Sequence, residues 1–392
     1  MRHRKFPLPG GAERVSRTLR AAVRRGFEAH FAERNRLAIL FGAARPYANM
    51  TGKHSLAGGD SVTSSIRAIQ VAESEGRARG ALVQIAAAER DTVAAGGVAI
   101  RTVHSGVNYK DALAVTGRAP IMRRLPCVAG IEAFGIVEAS ADARFRPGDA
   151  VMVHGFGIGV EHDGGFAERV CVPADWVMPI PAGLALFDAA AIGVAGYTAA
   201  LAIHRMEHNG LTPGAGPVVV TGATGGVASL GIAMLAAAGY EVVAITGKDD
   251  AAAWLRSLGA ASVLPRSAVE APGKPLRHAR WAGALDSVGG ETLAWLASTM
   301  LEGAPIAAFG NAGGHAFGGS VLPFILRGVQ LIGINANSPM PLRETVWGRI
   351  AGGLRPRGLD AIARVIRLDD VLEVCERQVR GETRGRSIIG FH

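Results

Sequence analysis

The stretch Pro217-Val-Val-Val-Thr-Gly-Ala-Thr-Gly-Gly-Val-Ala228 decides the fold of this chain. An apolar, β-branched run enters a turn rich in glycine, and an Ala/Leu-rich segment, Val227 to Ala238, follows with the look of a buried helix. Such a turn lets the backbone approach a pyrophosphate closely, and the helix N-terminus behind it offers unpaired N–H groups to negative charge. A Gly-rich match alone is weak, but a strand before it and a helix after it make a dinucleotide-binding turn. Thr224, Gly225, Gly226 and Val227 are therefore candidate cofactor contacts. Ala228 stands where the looser pattern often ends in glycine, which predicts slightly less close helix–strand packing.

Downstream, Glu241–Thr246, Ser262–Leu264, Ala284–Ser287, Ile306–Phe309 and Gln330–Ile334 read as strands that alternate with helices such as Ala251–Leu258. Alternation of this kind predicts a doubly wound parallel sheet in an α/β fold. The second strand ends in Thr246-Gly247-Lys248 and lacks the acid that would receive the ribose 2′-OH of NAD. A hydroxyl and an ammonium suit a 2′-phosphate instead, which favours NADPH. Asp249 and Asp250 follow at once and oppose that reading, unless they complement the dipole of the next helix. Arg266, after the third strand, reads either as a second phosphate contact or as a solvated loop residue. Two Gly-rich strand ends, Asp286–Gly290 and Phe309–Gly314, would make room for the nicotinamide half. Asn311 there suits a hydrogen bond to the cofactor or a turn equally well.

Upstream, between Ile66 and Phe187, short β-rich runs such as Val98–Ser105, Gly135–Ala139, Ala150–His154 and Phe166–Val172 predict a mostly β domain. After Pro339 come a helix near Leu342–Gly352 and a strand–helix–strand unit over Arg364–Phe391. The expected organisation is an extension over 1–65, the first part of the β domain over 66–188, the cofactor domain over 189–338, and a return to the β domain over 339–392. His208–Tyr240 carries no Asp, Glu, Lys or Arg and is long enough to span a bilayer. Pro213, Pro217 and the glycines of the turn divide it, so a buried α/β core explains it better and no membrane is expected.

Composition sets the outer bounds. Of 392 residues 49% are hydrophobic and 19% charged, which excludes a chain disordered throughout. Cys127, Cys171 and Cys375 have no CxxC spacing, so a disulfide framework or cysteine-rich zinc lobe is excluded and a reducing, cytoplasmic compartment is expected. The net charge of +9 invites a nucleic-acid partner. Residues 1–65, however, hold twelve Lys or Arg and four Asp or Glu, a net of +8, leaving +1 for all the rest. The extension reads as a solvated tail, a basic arm for an acidic partner such as RNA, or a targeting peptide. No aromatic stacking motif accompanies its arginines, and Glu13, Glu28 and Glu33 argue against a transit peptide.

Further motifs carry a family resemblance over about Ile66 to His392. They are Gly106-Val-Asn-Tyr-Lys-Asp-Ala-Leu113, Gly130-Ile-Glu132, Arg144-Phe-Arg-Pro-Gly-Asp149, Gly164-Gly-Phe-Ala167, Ala195-Gly-Tyr-Thr-Ala199, Gly310-Asn-Ala-Gly-Gly314 and Pro323-Phe-Ile-Leu-Arg-Gly-Val329. With the turn at Thr221–Val227 they resemble the zinc-independent medium-chain dehydrogenase/reductases, in the group of YhdH-type quinone oxidoreductases and acryloyl-CoA reductases. The resemblance implies a GroES-like, mostly β catalytic domain beside a Rossmann cofactor domain, with a homodimer by analogy. Zinc-dependent relatives would carry Cys at Asn108 and His at Ile131, so no metal is expected there. His154, His162 and His204 are scattered and read as loop or helix-surface residues. Asn335-Ala336 departs from the Asp-Ser usual in similar proteins, which puts a cofactor contact there in doubt.

The implied reaction is reduction of an activated alkene, with hydride going to the β-carbon and a proton to the α-carbon. Asn108 and Tyr109 are the implied donors at the domain cleft. Tyr109 would orient the nicotinamide, polarise the carbonyl or supply the proton. Ile325, in the Pro323–Val329 motif, is an implied cofactor contact. Asp111 reads as a helix cap rather than an acid. Arg118, Arg123 and Arg124 form a basic rim that would suit the phosphates of a CoA thioester or serve as a solvated loop. An enoyl-CoA substrate leads; a quinone or enone is the alternative, and a non-enzymatic NADPH- or RNA-binding protein is the reading from another class.

Overall fold

The structure, a computed structural model, describes residues 65–86, 96–271 and 273–391. The extension expected over 1–65 lies outside them except for Ser65. Among the described residues the first third is antiparallel β. Strands β1 (Ser65–Ser74) and β2 (Arg77–Ala86) form a hairpin, and β1 also pairs with the short β4 (Cys127–Val128). A seven-stranded sheet is built on β3 (Gly97–Val107), which pairs with β5 (Glu132–Ser140) and β7 (Arg169–Pro173). It continues through β6 (Ala150–His154) to β8 (Val177–Pro179). Val98, Ile100, Val137, Val151, Val153 and Val170 are buried in a core between its strands, as period-2 alternation of branched residues requires. Helix α1 (Tyr109–Val115) starts two residues after β3 ends and buries Ala112 and Val115.

Helix α2 (Leu186–His208) runs from the β domain into the cofactor domain. The boundary drawn at 188/189 thus falls inside a helix rather than in a linker. Gly193, at φ 54° and ψ −161°, breaks the helical path within it, a conformation closed to most L side chains. This helix is long and apolar enough to cross a membrane, yet 83% of its most apolar window is buried in the fold.

The turn quoted above connects β9 (Val218–Val220) to α3 (Gly226–Ala237). Around β9 lie β10 (Val242–Thr246), which leads through the short α4 (Ala252–Ser257) to β11 (Ser262–Pro265), and on the other side β12 (Gly283–Asp286). Helix α5 (Gly290–Thr299), β13 (Pro305–Ala308), α6 (Leu322–Arg327) and β14 (Gln330–Gly333) complete the sheet. All its pairings are parallel, in the order β11-β10-β9-β12-β13-β14. The chain reverses its winding between β9 and β12, and ligands bind such sheets in the crevice beyond the strand C-termini there.

Helix α7 (Met340–Ala351) then packs on α2, and the short α8 (Leu359–Ile362) leads into β15 (Ala363–Ile366). After α9 (Val371–Val379), β16 (Arg386–Gly390) inserts between β15 and β3 of the first sheet. The C-terminal strand therefore belongs to the β domain while its approach passes the cofactor turn.

Candidate functional site

The turn after β9 is held from the neighbouring strand. Buried Asp286, at the end of β12, accepts hydrogen bonds from Thr221 Oγ1 (2.6 Å), Val288 N (3.1 Å) and Gly289 N (2.9 Å). Ser287 Oγ donates to the Thr221 carbonyl at 2.9 Å. Burial raises the pKa of the Asp286 carboxyl, and the three donors oppose that rise. Gly225 caps α3 with no side-chain hydrogen bond, and no acid stands in its first turn. The helix thus presents an uncapped, unopposed N-terminus of Gly226, Val227 and Ala228, beside half-buried or exposed glycines, which fits a pyrophosphate.

At the end of β10, Thr246 Oγ1 accepts from Lys248 N at 3.0 Å and fixes the strand exit. Lys248 Nζ donates to the Thr383 carbonyl at 2.5 Å, and partial burial lowers its pKa. The Arg266 guanidinium lies against Gly247, where a Cβ would meet its Nη2 at 2.7 Å. Arg384, which sequence reasoning missed, joins them from the loop before β16: its Nη1 is 3.9 Å from Asp250 and its guanidinium stands 5.7 Å from the Trp254 ring. Asp250 is thereby drawn toward a cation. Thr246, Gly247, Lys248 and Arg266 are brought together, and this set fits the adenosine end of a dinucleotide carrying a 2′-phosphate.

On the catalytic side, Tyr109 opens α1. It is exposed, and among the described residues its hydroxyl has no hydrogen-bond partner. Asp111 is wholly buried and binds two backbone N–H groups, of Asn108 (2.9 Å) and Ile131 (3.0 Å), so it acts as the expected cap. Burial raises its pKa to about 7, against those hydrogen bonds and with a further push from nearby Glu132.

Asn108 departs from the donor role expected of it. Its Nδ2 already donates to the Gly106 carbonyl (3.1 Å) and Glu132 Oε1 (3.2 Å), while Oδ1 accepts from Arg386 Nη1 (2.6 Å). A buried amide with both donors spent holds the start of α1 and has none left for a carbonyl. Ile325 lies on α6 and is 70% exposed, with Val321 and Leu326 also exposed. Arg327, two residues on, donates to the Ser298 and Met300 carbonyls before β13. Asn311 is exposed at the end of β13, its carbonyl accepting from Gly314 N in a turn. Arg123 pairs with Glu161 (3.2 Å) and Arg124 with Asp163 (2.9 Å), so the basic rim is matched by carboxylates and is not a free phosphate surface.

His154 is no loop residue. It ends β6 fully buried, its Nε2 accepting from Trp347 Nε1 (3.0 Å) and its carbonyl from Arg343 Nη1 (2.6 Å). Arg343 also binds the Ser338 carbonyl, and no carboxylate lies within ion-pair distance among the described residues. This cluster joins the β domain to the segment returning from the cofactor sheet. Burial and the Arg343 charge hold the His154 pKa well below 6.5.

Comparison with known proteins agrees with this layout. The alcohol dehydrogenase GroES-like domain family matches residues 94–182. The acrylyl-CoA reductase AcuI of Ruegeria pomeroyi is 41% identical over 319 residues, covering 81% of this chain and 96% of that protein. YhfP of Bacillus subtilis, whose name places it among quinone oxidoreductases, is 43% identical over 296 residues, covering 75% of this chain and 90% of its own. Its crystal structure with NAD bound superposes with a TM-score of 0.80 at 39% identity, over 84% of this chain and all of that one. The YhdH oxidoreductase of Salmonella enterica in complex with NADP gives 0.79 at 37%, over 83% of this chain and all of that one.

A GroES-like domain joined to a Rossmann sheet with an open dinucleotide turn defines a nicotinamide-dependent oxidoreductase. The chain belongs to the medium-chain dehydrogenase/reductases, in the family that contains AcuI, YhfP and YhdH.

Proposed function

We propose that this protein reduces the activated C=C bond of acryloyl-CoA or a close enoyl-CoA with NADPH. The bound dinucleotide would supply the hydride that the β-carbon receives. Tyr109 is the donor: its exposed hydroxyl, at the head of a helix whose start is fixed by Asp111, can bond a carbonyl oxygen as negative charge develops. Lys248, Arg266 and Arg384 hold the 2′-phosphate, and the uncapped start of α3 holds the pyrophosphate. The observation that carries the reading is an exposed Tyr109 without a hydrogen-bond partner among the described residues, in a chain 41% identical to an acrylyl-CoA reductase.

A quinone or enone acceptor is the second reading, and the pairing of Arg123 and Arg124 with carboxylates favours it, since CoA phosphates gain no free cation there. NADPH oxidation followed with acryloyl-CoA, crotonoyl-CoA and a benzoquinone separates them; a far larger kcat/KM for the quinone ends the acyl-CoA assignment. We also propose a homodimer through β14, an edge strand flanked by exposed Val321, Ile325, Leu326 and Leu331. Ile325→Glu should then halve the mass measured by light scattering. The cytoplasm is the proposed compartment, in keeping with three cysteines that have no CxxC spacing.

A further inference from the structure

Arg386 and Glu132 form an ion pair with side chains 2% and 0% exposed, and neither has a part in the chemistry above. Glu132 Oε1 accepts from Arg386 Nη2 at 2.6 Å and from Asn108 Nδ2; its Oε2 accepts from Val194 N at 2.5 Å, just past the break in α2. Arg386 donates through Nη1 to Asn108 and through Nε and Nη2 to the Ala191 and Ala190 carbonyls, both at 3.4 Å. Main chain walls the pair in. A Cβ on Gly106 would fall 2.1 Å from Glu132 Oε1, and one on Gly193 2.3 Å from Arg386 Nη2, so neither charged group has room to swivel.

The same arginine touches the cofactor turn. Its Cδ lies 3.1 Å from where a Cβ on Gly226 would stand, and its neighbour Gly385 donates to the Thr224 carbonyl at 2.9 Å. Arg386 therefore contacts the phosphate-binding turn at its stem and the residue before Tyr109 at its head. A buried pair is a poor source of net stability, because desolvation offsets most of its attraction. A pair with every oxygen used and no freedom to move is well suited to transmitting position.

We propose that Arg386, acting through Glu132 and Asn108, is a positioning residue that makes the direction of Tyr109 depend on the state of the dinucleotide turn. It contacts neither substrate nor phosphate. The proposal rests on cofactor binding at the turn and on Tyr109 as the residue facing the acceptor.

The chain has four tyrosines, so biosynthetic 3-fluorotyrosine gives few 19F resonances, and Tyr109→Phe identifies one of them. In the wild-type full chain, saturating NADPH should shift the Tyr109 signal. In Arg386→Lys, Glu132→Gln and Asn108→Ala, fluorescence titration should find NADPH affinity within about threefold of wild type. The Tyr109 shift should nevertheless shrink or broaden away, and kcat should fall about tenfold with little change in the KM for NADPH. Asn108→Ala removes only the outer link and leaves the ion pair whole, so it reads the proposal even if the charged variants unfold. A wild-type Tyr109 shift in NADPH-bound Asn108→Ala overturns the proposal. The NMR measurement needs no acceptor: if neither acryloyl-CoA nor quinone is reduced, the functional reading fails while this one is still decided.

Discussion

Replacing Lys248 by alanine should weaken NADPH and spare NADH. Two cationic groups stand at the end of β10, Lys248 Nζ with one donor already on Thr383 and the Arg266 guanidinium over Gly247, with Arg384 near Asp250. A unit cation about 4 Å from a phosphate oxygen gains about 1 kcal/mol in water and about 4 at an effective dielectric of 20. Lys248 is half-buried and Arg266 exposed, so solvent screening places each contact near the lower end, at about 1–2 kcal/mol. Lys248→Ala should therefore raise the Kd for NADPH about five- to thirtyfold and move that for NADH less than about twofold. Titrating both cofactors by fluorescence at low and high salt checks this, because the loss should shrink as salt rises. An equal loss for the two cofactors would refute the assignment, since it would place Lys248 on a part of the ligand they share.

The remaining predictions concern the scaffold of the site. Asp286→Asn keeps the shape of the side chain but cannot accept from Thr221, Val288 and Gly289 as the carboxylate does. It should cost about 1–3 kcal/mol in stability and weaken NADPH and NADH alike, as seen by thermal unfolding with and without cofactor. Asp111 and His154 should tilt stability with pH in opposite directions. Asp111, its pKa raised to about 7, takes up a proton in the folded state first, so its contribution is lost as pH rises from about 4 to 7. His154, held neutral, contributes stability that is lost as pH falls below about 6.5. Just below pH 6.5 the two contributions therefore oppose each other in the wild type. Denaturant unfolding should then show Asp111→Asn losing stability on acidification and His154→Gln gaining it; equal slopes in both variants would sink the argument. Tyr109→Phe should lower kcat about ten- to a hundredfold and leave the NADPH Kd nearly unchanged, by steady-state kinetics and titration.

Much of the cofactor half was legible from short windows. Thr221 to Val227, the strand exit at Thr246-Gly247-Lys248, and the alternation from Val218 to Ile334 each carry their meaning within a dozen residues, because a βα turn and its charge requirements are local. Arg266 could be nominated for the same reason. The catalytic half was less legible. Asn108 looked like a free donor because its neighbours in sequence do not show that Glu132 and Arg386, the latter 278 residues away, consume its amide. Arg384 went unnoticed because a charged loop near the C-terminus gives no sign that it folds back to Lys248.

By itself the sequence determined the class of sheet, the place of the dinucleotide turn and the sign of the charge beside it, since these follow from local backbone conformation and composition. Only the tertiary structure decided which polar groups are spent and which are free. That depends on β16 entering the first sheet beside β3, on α2 breaking at Gly193, and on Arg343 reaching His154 across 189 residues. Hydrogen-bond capacity in a buried site is shared among partners distant in sequence, and packing alone settles how it is divided.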